Sequence, residues 1–313
     1  LNVLLVIGGL ALLVAGGEML IRGSVGIAER FGLSRALIGV LLLGFGTSMP
    51  EFVATFGAAA KGANDIAFGN VLGSNIANIL MILGVSALIL PIATQMTELR
   101  RDFVFVMASS IGCMAWIIFG GIPILGAAAL VLIFVVYLFL SIRADIRLPA
   151  EPVNPMKIHK PFPIDMMFVF AGVTLLVIGA EGLIRGASSI ARGYGISEAI
   201  IGITIVGIGT SLPEATASIL ASLKRENQLA FANIVGSNIF NGLAILGITG
   251  IFFPLSFDIS AAGFSWIDGA VLIIATVMMF VFAATQRKVM RWEGAVMLTA
   301  YLGYLIWLIS RAL

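Results

Sequence analysis

The chain has 313 residues, of which 60% are hydrophobic and only 11% charged, with a mean hydropathy of +1.12. So little charge excludes a water-soluble domain of this length and points to an all-α polytopic membrane protein. One cysteine, Cys113, and one histidine, His159, exclude an internal disulfide and argue against a thiolate metal cluster or a Ser-His-Asp triad.

Ten apolar runs are long enough to cross a bilayer as helices: 2–21, 35–60, 69–91, 102–119, 122–142, 165–184, 198–222, 230–254, 267–286 and 292–310. The first lacks a basic leader and a clear cleavage site, so it is read as a span rather than a signal peptide. Within it, Glu18 and Arg22 stand at i,i+4 spacing, which favours an intrahelical pair over an ion-pathway role. The second carries "GFGTSMPE" at 44–51. Pro50 has no N–H to donate and its ring crowds the Gly46 carbonyl, while Gly44 and Gly46 loosen the same turn. Backbone carbonyls from Gly44 to Thr47 are therefore expected to lose helical partners, next to the carboxylate of Glu51. The third span carries "GSNIAN" at 73–78, offering the Ser74 hydroxyl and the amides of Asn75 and Asn78. Cys113, in the fourth, reads as a small buried hydrophobe.

Residues 143–164, "RADIRLPAEPVNPMKIHKPFPI", form the one long polar, proline-rich connection and include His159, an expected loop residue. At this length they are a linker rather than a folded domain. The chain therefore divides into a first five-helix repeat (1–142), a linker (143–164) and a second five-helix repeat (165–313). In the second half, Glu181 and Arg185 repeat the i,i+4 pair and "GIGTSLPE" (207–214) repeats the proline break. "GSNIFN" (236–241) repeats the Ser-Asn pattern. Lys224, Arg225 and Glu226 read as a solvated loop, and Trp292, Tyr301, Tyr304 and Trp307 as interfacial anchors and packing of the last span.

The repetition is systematic. Adding 163 to any residue number from 16 to 84 reaches its counterpart without a gap, and about half of the positions are identical. Five spans per copy is an odd number, so the second copy must cross the membrane in the opposite sense. Inverted repeats are an architecture of secondary transporters, with substrate held between the halves at the midplane. On the linker's side this arrangement gathers fourteen of the 18 Lys and Arg residues. The positive-inside rule then places the linker in the cytoplasm and both termini outside.

The chemistry of the paired motifs follows from their donor atoms. Glu51 and Glu214 supply charge. Thr47, Thr210, Ser48, Ser211, Ser74 and Ser237 supply hydroxyls, and Asn78 and Asn241 supply amide oxygens. The broken turns supply backbone carbonyls at Gly44 and Gly207. An all-oxygen cage with two negative charges selects hard cations such as Ca²⁺ or Na⁺. Each carboxylate at membrane depth costs about 2.5–3.5 kcal/mol on the insertion scale, and a bound cation offsets that cost. Ala232 stands where the first copy has Gly69, with no functional reading from sequence.

At these residues the chain resembles the calcium/cation antiporter superfamily, in particular the prokaryotic sodium/calcium exchanger group, over almost its whole length. The resemblance implies exchange of Na⁺ for Ca²⁺ by alternating access at one ion-binding cluster, with no other cofactor. It also implies an integral protein of the prokaryotic plasma membrane. It makes Glu51 and Glu214 the central ligands, flanked by Thr47, Thr210 and the Gly44 and Gly207 carbonyls. Ser48, Ser211, Ser74, Ser237, Asn78 and Asn241 complete the implied set, and spans one and six become a sliding pair. Some relatives have Asp where this chain has Asn241, which argues against potassium co-transport. A cation/proton antiporter is the alternative, since glutamates can carry protons, and a cation channel comes next. No nucleophile–base pair supports an enzyme, and nothing in the sequence sets an oligomeric state.

Overall fold

The computed structural model describes residues 2–94, 96–146, 161–194, 207–256 and 265–312. The helices, in chain order, are α1 (Asn2–Phe31), α2 (Arg35–Thr47), α3 (Met49–Ala60), α4 (Asn64–Ile89), α5 (Met96–Phe119), α6 (Ile124–Ile146), α7 (Phe162–Gly193), α8 (Leu212–Leu223), α9 (Asn227–Phe252), α10 (Trp266–Thr285) and α11 (Arg291–Ala312). Among the described residues, eight helices are long and apolar enough to cross a membrane, or nine if α2 and α3 form one span bent by 46°. Of the expected span 198–222, residues 198–206 lie outside the description, as do linker residues 147–160 with His159. Residues 143–146, expected in the linker, belong to α6, and residues 162–164 to α7.

Helices α1 and α7 run well past the expected 2–21 and 165–184, to 30 and 32 residues. At 1.5 Å per residue they are about 45 Å long, more than a hydrocarbon core requires. They pack antiparallel through a ladder of small residues. A Cβ built on Gly9 would lie 2.6 Å from the Gly179 carbonyl oxygen, and one on Gly16 would lie 2.8 Å from that of Gly172. One on Gly172 would lie 2.5 Å from the Leu20 nitrogen. The 163-residue shift turns the Gly9–Gly179 contact into the Gly172–Gly16 contact. Glycine is needed here because it removes the side chain that would hold the two backbones apart.

The other helices form the body against which this pair lies, and its core includes Phe68, Leu72, Ile76, Ile79, Ile239, Leu243 and Leu272. Cys113 is buried there, as composition suggested. Two short antiparallel ribbons link the halves. Strand β1 (Ile92–Ala93) pairs with β4 (Lys288–Val289), and β2 (Gly121–Ile122) with β3 (Leu255–Ser256). Each therefore joins one strand from each half. At the aromatic end of α11, Tyr304 donates to Asp268 at 2.8 Å and the Arg311 guanidinium lies 4.8 Å from the Trp307 ring centre.

Because the ladder admits no side chains, we expect Gly172→Leu to force α1 and α7 apart at a cost of about 1–3 kcal/mol. Thermal unfolding in detergent measures this. Gly8→Leu, where a Cβ meets nothing within 4 Å, is the control and leaves the midpoint unchanged.

Candidate cation site

The helix break falls where the proline motif put it. Ser48 leaves helical geometry (φ −83°, ψ 6°), and α3 starts at Met49 with Pro50 in its first turn. Ser211 has nearly the same geometry (φ −87°, ψ 8°), with α8 starting at Leu212 and a short turn at Gly207–Gly209 before it. Both glutamates lie in the first turn after a break, where the positive end of the helix dipole favours negative charge. In α4 and α9 the second motif coincides with a widened π-type turn, Ala77–Ile82 and Phe240–Ile245. Such turns re-aim side chains and occur often at functional sites. Asn78 and Asn241 lie in these turns. A third π-type turn, Gly39–Gly44, leads into the first break.

Glu51, Glu214, Thr47, Ser48, Ser211, Ser237, Asn78 and Asn241 are fully buried, and Ser74 is nearly so. Direct hydrogen bonds join the two copies. The Ser48 hydroxyl donates to Glu214 Oε1 at 2.9 Å, and Thr47 and Ser237 hydroxyl oxygens lie 3.5 Å apart. The Gly44 carbonyl accepts from the Ser48 N–H at 3.3 Å and from the Ser237 hydroxyl at 3.4 Å. It is thus partnered, though by long bonds, where the proline break alone suggested an open carbonyl. The Thr47 hydroxyl donates to the Leu43 carbonyl at 2.9 Å.

Many oxygens in this cluster lack a hydrogen-bond partner among the described residues: both of Glu51, Oε2 of Glu214, Oδ1 of Asn75, Asn78, Asn238 and Asn241, and the hydroxyls of Thr210 and Ser211. A buried acceptor without a partner costs about 1–3 kcal/mol, and a charged one more. Orphaned oxygens on residues of both repeats fit a hard cation. Among the described residues no cluster of three or more His, Cys, Asp or Glu occurs, so any charge on the site comes from the two glutamates, with neutral oxygens around them.

Two further asparagines escaped the sequence reading. Asn70 donates to the Glu51 carbonyl at 3.2 Å and to the Thr55 hydroxyl at 3.0 Å. Its counterpart Asn233 donates to the Glu214 carbonyl at 3.3 Å and to the Ser218 hydroxyl at 2.8 Å. Each clamps the helix that carries its repeat's glutamate. Their retention at the 163-residue spacing was the available signal. Asn75 reaches across to the Asn238 carbonyl at 3.4 Å and so braces one copy against the other. Ala232 also gains a reading: a Cβ on Gly39 would stand 2.6 Å from the Ala232 methyl, so the methyl fills space that Gly39 leaves.

The two sides of the cluster differ. Helix α1 closes over α8, where Ala217 and Ala221 are fully buried and a Cβ on Gly17 would meet Leu220 at 2.8 Å. At the equivalent positions of α3, Ala54 is exposed and Ala58 half-buried, Val53 is 65% exposed and a Cβ on Gly57 would meet nothing within 4 Å. Asn70 and Thr210 are partly exposed, whereas Asn233 and Thr47 are fully buried. The segment 224–226, read as a solvated loop, is a turn with Lys224 and Arg225 exposed, and it also carries ion pairs: Lys224 with Glu18 and Glu226 with Arg35. The folded chain brings carboxylates within reach that sequence separation hid.

These features define a helical integral membrane protein with a buried, carboxylate-bearing oxygen cluster between two similar halves. The sequence model of the sodium/calcium exchanger protein family matches residues 1–143 and 165–310, and the chain belongs to that family. It is a cation-exchange antiporter by family and fold. It is similar to the putative antiporter CaxA of Alkalimonas amylolytica, 35% identical over 308 residues and covering 96% of each chain. It is also similar to the sodium/calcium exchanger MaX1 of Methanosarcina acetivorans, 28% identical and covering 97% of each. A solved structure of the sodium-calcium exchanger NCX_Mj, soaked with Na⁺ and no Ca²⁺, superposes with a TM-score of 0.83. It is 29% identical, and the match covers 96% of each chain.

Replacing Asn233 by Ala leaves the Glu214 carbonyl and the Ser218 hydroxyl without this donor. The expected cost is about 1–3 kcal/mol, seen as a lower unfolding midpoint in detergent, with a smaller drop for the less buried Asn70→Ala.

Proposed function

We propose that the protein exchanges Na⁺ for Ca²⁺ across the membrane by alternating access. Glu51 and Glu214 are the central ligands, and Thr47, Thr210, Ser48, Ser211, Ser74, Ser237, Asn78, Asn241 and the Gly44 and Gly207 carbonyls are the remaining oxygen donors. The observation that carries this reading is the set of buried oxygens from both repeats, unpartnered around two carboxylates. Membership of an exchanger family and likeness to NCX_Mj, solved after soaks with Na⁺, Ca²⁺ and Sr²⁺, support Na⁺ and Ca²⁺ as the substrates. With the cage unloaded, two buried carboxylates repel one another, which disfavours crossing without cargo and makes transport an exchange.

Two inverted five-helix repeats joined by a cytoplasmic linker accord with the antiparallel α1–α7 ladder and with the Lys and Arg distribution. Both termini then face outside, in a prokaryotic plasma membrane. The closed α1–α8 contact lies toward the linker side and the uncovered α3 surface toward the other, as in a carrier caught facing outward. Helices α1 and α7 are the moving pair, since a glycine ladder holds them to each other.

Purified protein in vesicles tests the reading. Ca²⁺ uptake is expected to follow an outward Na⁺ gradient with the proton gradient collapsed, and uptake that follows only the proton gradient would replace Na⁺ by H⁺ in the proposal. Glu51→Gln and Glu214→Gln are expected to abolish Ca²⁺ transport while leaving folded protein by size-exclusion chromatography. Normal transport in either variant would sink the site assignment.

A further inference from the structure

The ion pair on the closed side has a counterpart on the open side. Lys224 Nζ lies 2.6 Å from the Glu18 carboxylate and thereby ties α1 to the end of α8. Arg22 holds the same carboxylate from within α1 at 2.5 Å. The 163-residue shift carries Glu18 to Glu181, Arg22 to Arg185 and Lys224 to Lys61. There the intrahelical half is made, since Arg185 pairs with Glu181. The interhelical half is open: Lys61, at the end of α3, is exposed. Among the described residues, Lys61 has no carboxylate within ion-pair distance, and the Glu181 side chain is 54% exposed.

We infer that Lys224 and Lys61 are alternating latches: Lys224 holds Glu18 when the linker side is closed, and Lys61 takes Glu181 when the opposite side closes. The inference rests on the alternating-access reading above. Its independent support is that the made and unmade pairs coincide with the closed and open helix contacts. Where Lys224 is engaged, Ala217 and Ala221 are buried under α1. Where Lys61 is not, Ala54 and Val53 are uncovered. The intrahelical arginines complete the device. Each glutamate keeps its own arginine in either state, so neither carboxylate crosses the apolar zone without a counter-charge as the pair slides. Only the lysine partner is exchanged. Partly exposed ion pairs of this kind are weak, enough to bias two states without trapping either.

Cross-linking tests the inference without relying on transport. The double variants Glu18→Cys/Lys224→Cys and Lys61→Cys/Glu181→Cys are treated in membranes with a short, reducible bifunctional methanethiosulfonate. The native thiol, Cys113, is buried and does not compete. Both pairs are expected to cross-link, and each link is expected to stop flux until it is reduced. Maleimide labelling of Ala54→Cys, in a chain without the paired cysteines and without cross-linker, reports the state: accessible when the linker side is closed and protected when the opposite side is. Single variants shift that labelling in opposite directions, Lys224→Gln lowering it and Lys61→Gln raising it, each by about two- to fivefold. A 61–181 pair that never links, or lysine variants that leave Ala54→Cys labelling unchanged, would overturn the latch. Both links forming as expected in a protein that shows no Na⁺-driven Ca²⁺ flux would overturn the exchange reading and leave the latch standing.

Discussion

Two carboxylates lie fully buried at the centre of a membrane protein, and the rest of the structure is organised around that constraint. A charge there is costly unless it is compensated, and across the halves the Ser48 hydroxyl donates to one glutamate oxygen. The remaining oxygens need a cation or protons. Oxygens gather around them from the broken turns at Ser48 and Ser211, the widened turns at Asn78 and Asn241, and hydroxyls on both repeats. A hydrogen-bonded polar core would place donors opposite acceptors. Buried oxygens left without donors are what a hard cation can use.

Holding such a cluster open needs a rigid frame, and the duplicated asparagines provide it. Asn70 and Asn233 each fasten the helix carrying their repeat's glutamate, and Asn75 spans the two copies. The symmetry of these clamps contrasts with the asymmetry around them. Helix α1 is seated on α8, whereas the matching surface of α3 is bare. The core keeps its two-fold pattern while the covering helices break it. The glycine ladder packs α1 and α7 backbone to backbone, because no side chain stands between them.

Much of this was legible in the chain. Hydrophobicity marked the helices, since a segment in lipid must satisfy its backbone internally and be apolar throughout. The proline breaks, the asparagine motifs and their spacing marked the cluster, because chemistry that is costly in lipid stands out against an apolar background. Helix ends were less legible. Helices α1 and α7 outrun their apolar runs because contact with each other, rather than lipid, sustains the last turns. The partners of Lys224 and Glu226 could not be read either, as surface charge in a sequence carries no record of what lies opposite it.

The sequence by itself determined the class of protein, the two copies and where their oxygen-bearing motifs fall, because composition and repetition are properties of the chain alone. Only the tertiary structure decided which oxygens remain without partners, that Asn70 and Asn233 act as clamps, and which side of the cluster is covered. Those depend on distances between residues far apart in the chain. The two copies share most of their motifs, so sequence predicts two equivalent sides. The seating of α1 and α7 against the body makes the sides different.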